Sequence, residues 1–366
     1  MKILLTSGIF PPDIGGPATY LPELSRDLEG LGHQVTIVTL GERSETNFIG
    51  ATKVIKISRN SWLVTRMVLT CIKLFKESVK SDAIFANGLF VESSLAVFLT
   101  RKRPQSVVKI VGDPVWERAR NRGTTTLQFE DFLTGRLNFK DRFLRKIYNL
   151  TWSTFRCRTA PSLELCNFIN SQLPSGEVRY IPNGVDIPIE SNVEREIDII
   201  CVSRLVNWKN VDIAIRAAKD LNLSVLVIGD GPERQSLEAL ATRLQVNVNF
   251  QGQLSTNQVF GWLERSRYFF LLSDYEGLSF ALLEAMIRGA IPVVSANAGN
   301  LSVIDSSKYG VITKIDKDAV VTAIAYLEKN PEVASDIAIA AKEHVRLKFN
   351  GEVQRRKMIS LLLEGR

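Results

Sequence analysis

The chain has 366 residues, 45% hydrophobic and 23% charged, enough apolar sequence for two cored domains and too mixed for a disordered or fibrous protein. Residues 1–180 carry 25 Lys and Arg against 16 Asp and Glu, a net +9, whereas residues 181–366 carry 21 against 23, a net −2; a basic half suits nucleic acid, anionic lipid or an acidic substrate. Four scattered cysteines with no C-x-x-C pair, and only two histidines, argue against a zinc site and fit a reducing cytoplasm, and no apolar run is long enough to span a bilayer.

In chain order, "MKILLTSGIFPPD" is too short in its apolar run for a signal peptide and reads as a first strand. A loop, a helix to about Gly30 and the strand "QVTIVTL" follow, then strands "ATKVIKIS", "AIFANG" and "SVVKIVG" with helical stretches between them. The second half alternates more clearly: strand "EIDIICVSR", helix near 211–220, strand "LSVLVIGDG", helix near 233–244, strand "VNVNFQG", helix "TNQVFGWLERS", strand "YFFLLSD", a helix from Ser279 to Gly289, and strand "IPVVSA". Alternating βα units in both halves predict α/β architecture with two doubly wound parallel sheets. Between them "PSGEVRYIPNGVDIPIESN", rich in Pro, Gly, Ser and Asn, reads as a hinge. Two such domains are expected to face a cleft, with ligands at the carboxyl ends of the strands.

The polar residues of interest fall at those ends. Glu276 lies on the turn after "YFFLLS", and Glu284 lies one turn into a helix with almost no polar face. A carboxylate there costs several kcal/mol, roughly 2–7 for a polar group and more for a charge, unless it has partners. It is either a core glutamate satisfied by an arginine or amide, or a carboxylate awaiting ligand hydroxyls. Arg204 follows a strand and Lys209 opens a helix; two cations there favour a diphosphate, the plainer reading being surface basics. "GDGPERQSL" puts Gly229 on a strand-to-helix turn near where a phosphate would sit, without a Walker lysine, and Gly15 and Gly16 allow close backbone approach or form a tight turn. His33 and His344 read as structural or solvated, and Asp316 as a helix cap.

Taken together, "SRLVNWK", "VIGDGPE", "FQG" and "YEGLSFALLEAMIRGAIPVV", in this order, resemble the donor domain of family-four glycosyltransferases with the GT-B fold, the spaced pair Glu276 and Glu284 being the most specific element. "IPNGVD" resembles the interdomain segment and "PPDIGGPATYLPELSRDLEGLGHQVTIVT" the opening βαβ. The resemblance implies two Rossmann-like domains: 1–180 for the acceptor, with the last helix, 351–366, packed back on it, and 181–350 for a nucleotide-sugar donor. It implies that Arg204 and Lys209 neutralise the donor diphosphate and the charge that grows on it as the sugar leaves. Glu284 would accept from the ribose hydroxyls and Glu276 from a sugar hydroxyl. The amides of Gly277, Leu278 and Ser279 would face the sugar or its phosphate, and the base would lie near Phe250–Gly252. The implied enzyme needs no metal or other cofactor and retains anomeric configuration by a front-face substitution.

Two departures stand out. Where many relatives have a histidine after the strand "VVKIVG", this chain has Asp113, which either contacts the sugar or acceptor, as Glu117 could, or caps a helix. After "PVVSA" only Gly299 remains of the usual glycines. Gly135–Arg158, with seven Lys and Arg against one acid, and Ser61–Lys76 read as basic amphipathic segments. They suit an anionic membrane surface near a glycan or lipid-linked acceptor, or are core helices with snorkelling basics. A cytoplasmic enzyme, peripheral on the inner face of the membrane, follows from the first reading. No nucleic-acid-binding motif appears. A nucleotide-sugar epimerase or a non-catalytic nucleotide-sugar-binding protein of the same fold are the alternatives.

Overall fold

The computed structural model describes residues 1–13, 15–127, 129–135, 137–173, 176–189 and 193–364. Residues 174, 175 and 190–192 of the expected hinge, Ile14 of the opening loop and Arg136 of the basic segment lie outside the described residues. The chain forms two compact units, Met1–Pro182 with Gln354–Arg366, and Asn183–Val353.

The first unit holds eight strands: β1 (Lys2–Thr6), β2 (Gln34–Gly41), β3 (Glu45–Ile49), β4 (Thr52–Ser58), β5 (Ala83–Ala86), β6 (Gln105–Lys109), β7 (Cys157–Ala160) and β8 (Val178–Tyr180). Their order is β3-β4-β2-β1-β5-β6-β7-β8. All neighbours are parallel except β3, which pairs antiparallel with β4 and is exposed along its whole length. The sequence reading did not include β3, β7 or β8: they are short, and β7 begins in the last two residues of the basic stretch 135–158, most of which is the helix Phe139–Ser153. The helix Gly351–Leu363 is tied to this unit by Arg355, whose guanidinium donates to Asp27 (2.6 Å) and Glu23 (2.8 Å), and by Gln105 Nε2 donating to the Leu361 carbonyl (2.8 Å).

The second unit holds β9 (Ile197–Val202), β10 (Val225–Ile228), β11 (Val248–Gly252), β12 (Ser266–Leu271), β13 (Ile291–Ser295) and β14 (Val311–Thr313), in the order β11-β10-β9-β12-β13-β14 and parallel throughout. Strand side chains alternate faces, and here both faces are apolar. Ile200, Leu226, Phe269 and Leu271 pack on one side with the helix Phe280–Ile287, and Ile199, Cys201, Val227 and Phe270 on the other with the helix Val211–Leu221. A sheet buried on both sides needs such continuous apolar runs. The chain winds outward from β9 to β11 and, after a crossover, from β12 to β14. The switch point lies between β9 and β12, where a doubly wound sheet opens a crevice at the strands' carboxyl ends.

Candidate active site

At that switch point β12 runs out through Ser273 to Glu276, and the next helix begins after Ser279, whose side chain caps it by accepting from the Leu282 amide (3.3 Å). From the β9 side, the short turn Asn207–Lys209 brings Lys209 Nζ to 2.5 Å from Glu276 Oε1, which also accepts from Ser273 Oγ (2.6 Å). The two groups expected to address different parts of a donor are thus bonded to each other. The loop is clamped from beneath: Asn297 Nδ2 and Ser295 Oγ donate to the Ser273 carbonyl (2.9 and 2.5 Å). Asn183, buried in the "IPNGVD" segment, donates to the Leu278 carbonyl (2.8 Å). The sequence reading missed Asn183 and Asn297; the first has only the following Gly184 as a local signal, and the second sits between two alanines. Gly299 is required by contact, since a Cβ there would come within 1.9 Å of the Glu276 carbonyl oxygen.

Glu284 is 8% exposed in the helix Phe280–Ile287. Among the described residues no hydrogen bond reaches its carboxylate, and the cation acting on it is Arg288. Arg288 is itself engaged, with its guanidinium 3.5 Å from the Phe260 ring and Nη1 donating to the Glu284 carbonyl. Burial therefore dominates and pushes the Glu284 carboxyl up to about 7. A carboxylate kept without protein donors has free lone pairs that ligand hydroxyls can reach.

Arg204 follows β9, is exposed, and makes no ion pair among the described residues. The ends of β9, β10 and β11 meet at Gly229, which has φ +130 and where a Cβ would come within 1.9 Å of the Ser203 carbonyl oxygen. Its amide donates to the Gly252 carbonyl (2.7 Å), and the Phe250 carbonyl accepts from Arg234 (3.4 Å). The backbone expected to read a base is therefore already partly engaged within the protein.

Arg204, Lys209, Gly229, Phe250, Gly252, Glu276, Gly277, Leu278, Ser279 and Glu284 all belong to the second unit; Gly15, Gly16 and Asp113 belong to the first. Gly15 precedes the helix Gly16–Gly30 with φ +147. Asp113, one of the expected catalytic residues, has no exposed surface: it caps the helix Pro114–Asn121 by accepting from the Val115 amide (3.0 Å) and is ion-paired with buried Arg145. Of its two readings, the geometry fits the helix cap and leaves no surface for a sugar. Arg145, in turn, faces the core rather than a membrane. His344 is buried, bonded to the Val303 carbonyl (2.9 Å) and stacked on Tyr309, and Asp316 caps the helix Lys317–Lys329.

Residues 14–188 match Glycosyltransferase Family 4, and residues 186–344 match Glycosyl transferases group 1. The chain is 24% identical over 350 residues to the phosphatidylinositol N-acetylglucosaminyltransferase chain of Arabidopsis thaliana, covering 88% of this chain and 73% of that protein. It is 30% identical over 162 residues to a GDP-mannose-dependent alpha-(1-6)-phosphatidylinositol monomannoside mannosyltransferase of Mycolicibacterium smegmatis, covering 39% of this chain and 42% of that one. Among solved structures, sucrose-phosphate synthase from Thermosynechococcus elongatus superposes with TM-score 0.82 at 17% identity, covering 99% of this chain and 98% of that one. Anabaena HepE in complex with UDP-glucose superposes with TM-score 0.79 at 16% identity, covering 100% of both. Two adjoining family matches and two parallel sheets of GT-B type place this chain in the family-four glycosyltransferases.

Proposed function

We propose that the protein moves a sugar from a nucleotide-diphosphate sugar, UDP- or GDP-linked, to a glycan or lipid-linked acceptor in glycolipid or surface-polysaccharide synthesis. The observation that carries this reading is the donor-less buried carboxylate of Glu284 at the same switch point as Arg204 and the Lys209–Glu276 pair. Glu284 holds the ribose diol. Arg204 and Lys209 stabilise the diphosphate as negative charge grows on it. Glu276 holds a hydroxyl of the transferred sugar and exchanges part of its bond with Lys209 for it. The glycosidic C–O bond to phosphate breaks as the acceptor oxygen bonds to the same face of the anomeric carbon. Configuration is retained because the new bond forms on the face the phosphate leaves, and the leaving phosphate oxygen takes the acceptor's proton. The two cations do the charge work that a metal does elsewhere, and the reaction runs without one. The names of the two relatives above support a lipid-linked acceptor, which the first unit would receive.

Membrane docking of the first unit is part of the same reading. Its helix Leu63–Ser78 buries Thr70, Leu74 and Ser78, while Leu63, Val64, Val68, Leu69 and Ile72 are exposed. An outward apolar face edged by lysines suits the interface of an anionic bilayer. The test is turnover of UDP- and GDP-sugars with and without a lipid-linked acceptor, in EDTA, with the product's anomeric configuration read by NMR. Acceptor-dependent transfer with retention supports the proposal. Conversion of the sugar without acceptor would instead mean an epimerase, and binding without turnover a non-catalytic protein.

A further inference from the structure

The end of the helix Phe90–Leu99 and the start of β6 border a cavity of about 440 Å³, lined in part by Phe98, Leu99, Arg101, Arg103, Ser106 and Arg156. No acid lines it. The three arginines are exposed and make no ion pair among the described residues. The walls are fixed: Ser106 Oγ accepts from the Arg156 amide (3.1 Å), and Thr154 Oγ1 donates to Ser94 Oγ (3.0 Å). Arg103 is held at φ +48, a conformation that costs a side-chain-bearing residue energy and so invites a functional explanation. The rim is apolar, with Phe98 76% and Leu99 57% exposed. The Ser78–Thr100 hydroxyl bond (2.7 Å) joins this rim to the end of the helix Leu63–Ser78 with its outward apolar face. The cavity lies at the amino end of β6, whereas parallel sheets take their substrates at the carboxyl ends. It is therefore separate from any acceptor site there.

We propose that this cavity is a headgroup site for an anionic phospholipid of the bilayer: Arg101, Arg103 and Arg156 hold the phosphate while the acyl chains run along Phe98 and Leu99. Planar guanidinium forks match phosphate oxygens, and unpaired arginines beside exposed apolar side chains match a molecule that carries both chemistries. The proposal deepens the membrane reading above and rests on it. The experiment titrates the full chain with dihexanoyl phosphatidic acid, dihexanoyl phosphatidylcholine and inorganic phosphate, and measures sedimentation with anionic and neutral vesicles. The variants are the triple Arg101→Gln/Arg103→Gln/Arg156→Gln and the single Arg101→Glu. Phosphatidic acid should bind saturably, phosphatidylcholine and inorganic phosphate at least tenfold more weakly, and both variants should lose at least tenfold. Nucleoside-diphosphate affinity should be unchanged in both. If the wild type and the triple variant bind anionic vesicles and phosphatidic acid equally, the headgroup site is overturned and membrane docking stands. If the wild type ignores vesicles but binds phosphatidic acid through the arginines, docking fails and the bilayer assignment falls with it, leaving a site for a soluble phosphate ester. Inorganic phosphate binding as tightly as phosphatidic acid overturns the lipid assignment in favour of a plain anion site.

Discussion

Replacing Glu284 by Gln removes a charge while keeping the side chain's shape, and the structure sets the sign of the effect on stability. Burial lifts the carboxyl from its ordinary 4.5 to about 7. Between those values the folded protein holds a proton that the unfolded chain has released, so stability falls as pH rises from about 4.5 through 7 and stays low above it. At about 1.4 kcal/mol per pKa unit, the charged carboxylate costs roughly 3 kcal/mol at pH 8. Gln escapes that cost but leaves a buried amide without partners, a penalty of roughly 1–3 kcal/mol. The variant's stability relative to wild type should therefore improve by roughly 3 kcal/mol between pH 4 and pH 8, whatever constant the amide adds. Guanidinium unfolding at the two pH values reads this directly. Binding should move the other way: losing charge-assisted bonds to the ribose diol, worth roughly 1.5–3 kcal/mol, weakens UDP or GDP binding by roughly ten- to a hundredfold in calorimetry. A variant whose stability tracks wild type across pH would mean that the carboxylate is satisfied inside the protein. A variant that binds nucleoside diphosphate like wild type would remove Glu284 from the ribose.

Arg204→Ala should lower kcat/KM by roughly 10²–10³ with little change in the unfolding midpoint, because Arg204 is exposed; an unchanged rate in steady-state assays would take it off the diphosphate. Glu276→Gln should leave nucleoside-diphosphate affinity nearly intact and fall on transfer and on discrimination between sugars, a split that titration with UDP against UDP-sugar resolves. Gly299→Ala forces apart the Glu276 backbone, which a Cβ would approach within 1.9 Å; transfer should drop while diphosphate binding through Glu284 persists, and a fully active variant would show that the loop tolerates displacement. Asp113→Asn should destabilise by roughly 3–5 kcal/mol by leaving Arg145 buried without its charge partner, with any loss of kcat explained by lost fold in a parallel melting curve.

Much of the second unit is legible in the linear chain because both faces of its sheet are buried. Runs such as "IICV" and "YFFLL" must then be apolar, and the helices between them carry the 3.6 period. The burial of Glu284 is readable for the same reason, since its helix leaves no polar face. β3, β7 and β14 are less visible: three to five residues hold too little pattern, and their pairing partners supply what local propensity does not. Asp113 shows why one dimension falls short. A turn aspartate before Pro-Val-Trp-Glu fits a cap or a ligand equally, and only the arrival of Arg145, 32 residues on, buried against it, decides. The Lys209–Glu276 bond joins positions 67 apart, and Asn183 reaches Leu278 across 95; such pairs exist only once the strands are ordered. Periodicity likewise reveals that 63–78 is amphipathic, but its neighbours settle which side faces water. Here the packed helix and strands accept Thr70, Leu74 and Ser78 and leave Leu63, Val64, Val68, Leu69 and Ile72 outside. Sequence thus determines which segments must be buried, because burial is a property of composition and period. The tertiary structure determines which charges meet and which carboxylate is left without a donor, because those depend on distances between residues far apart in the chain.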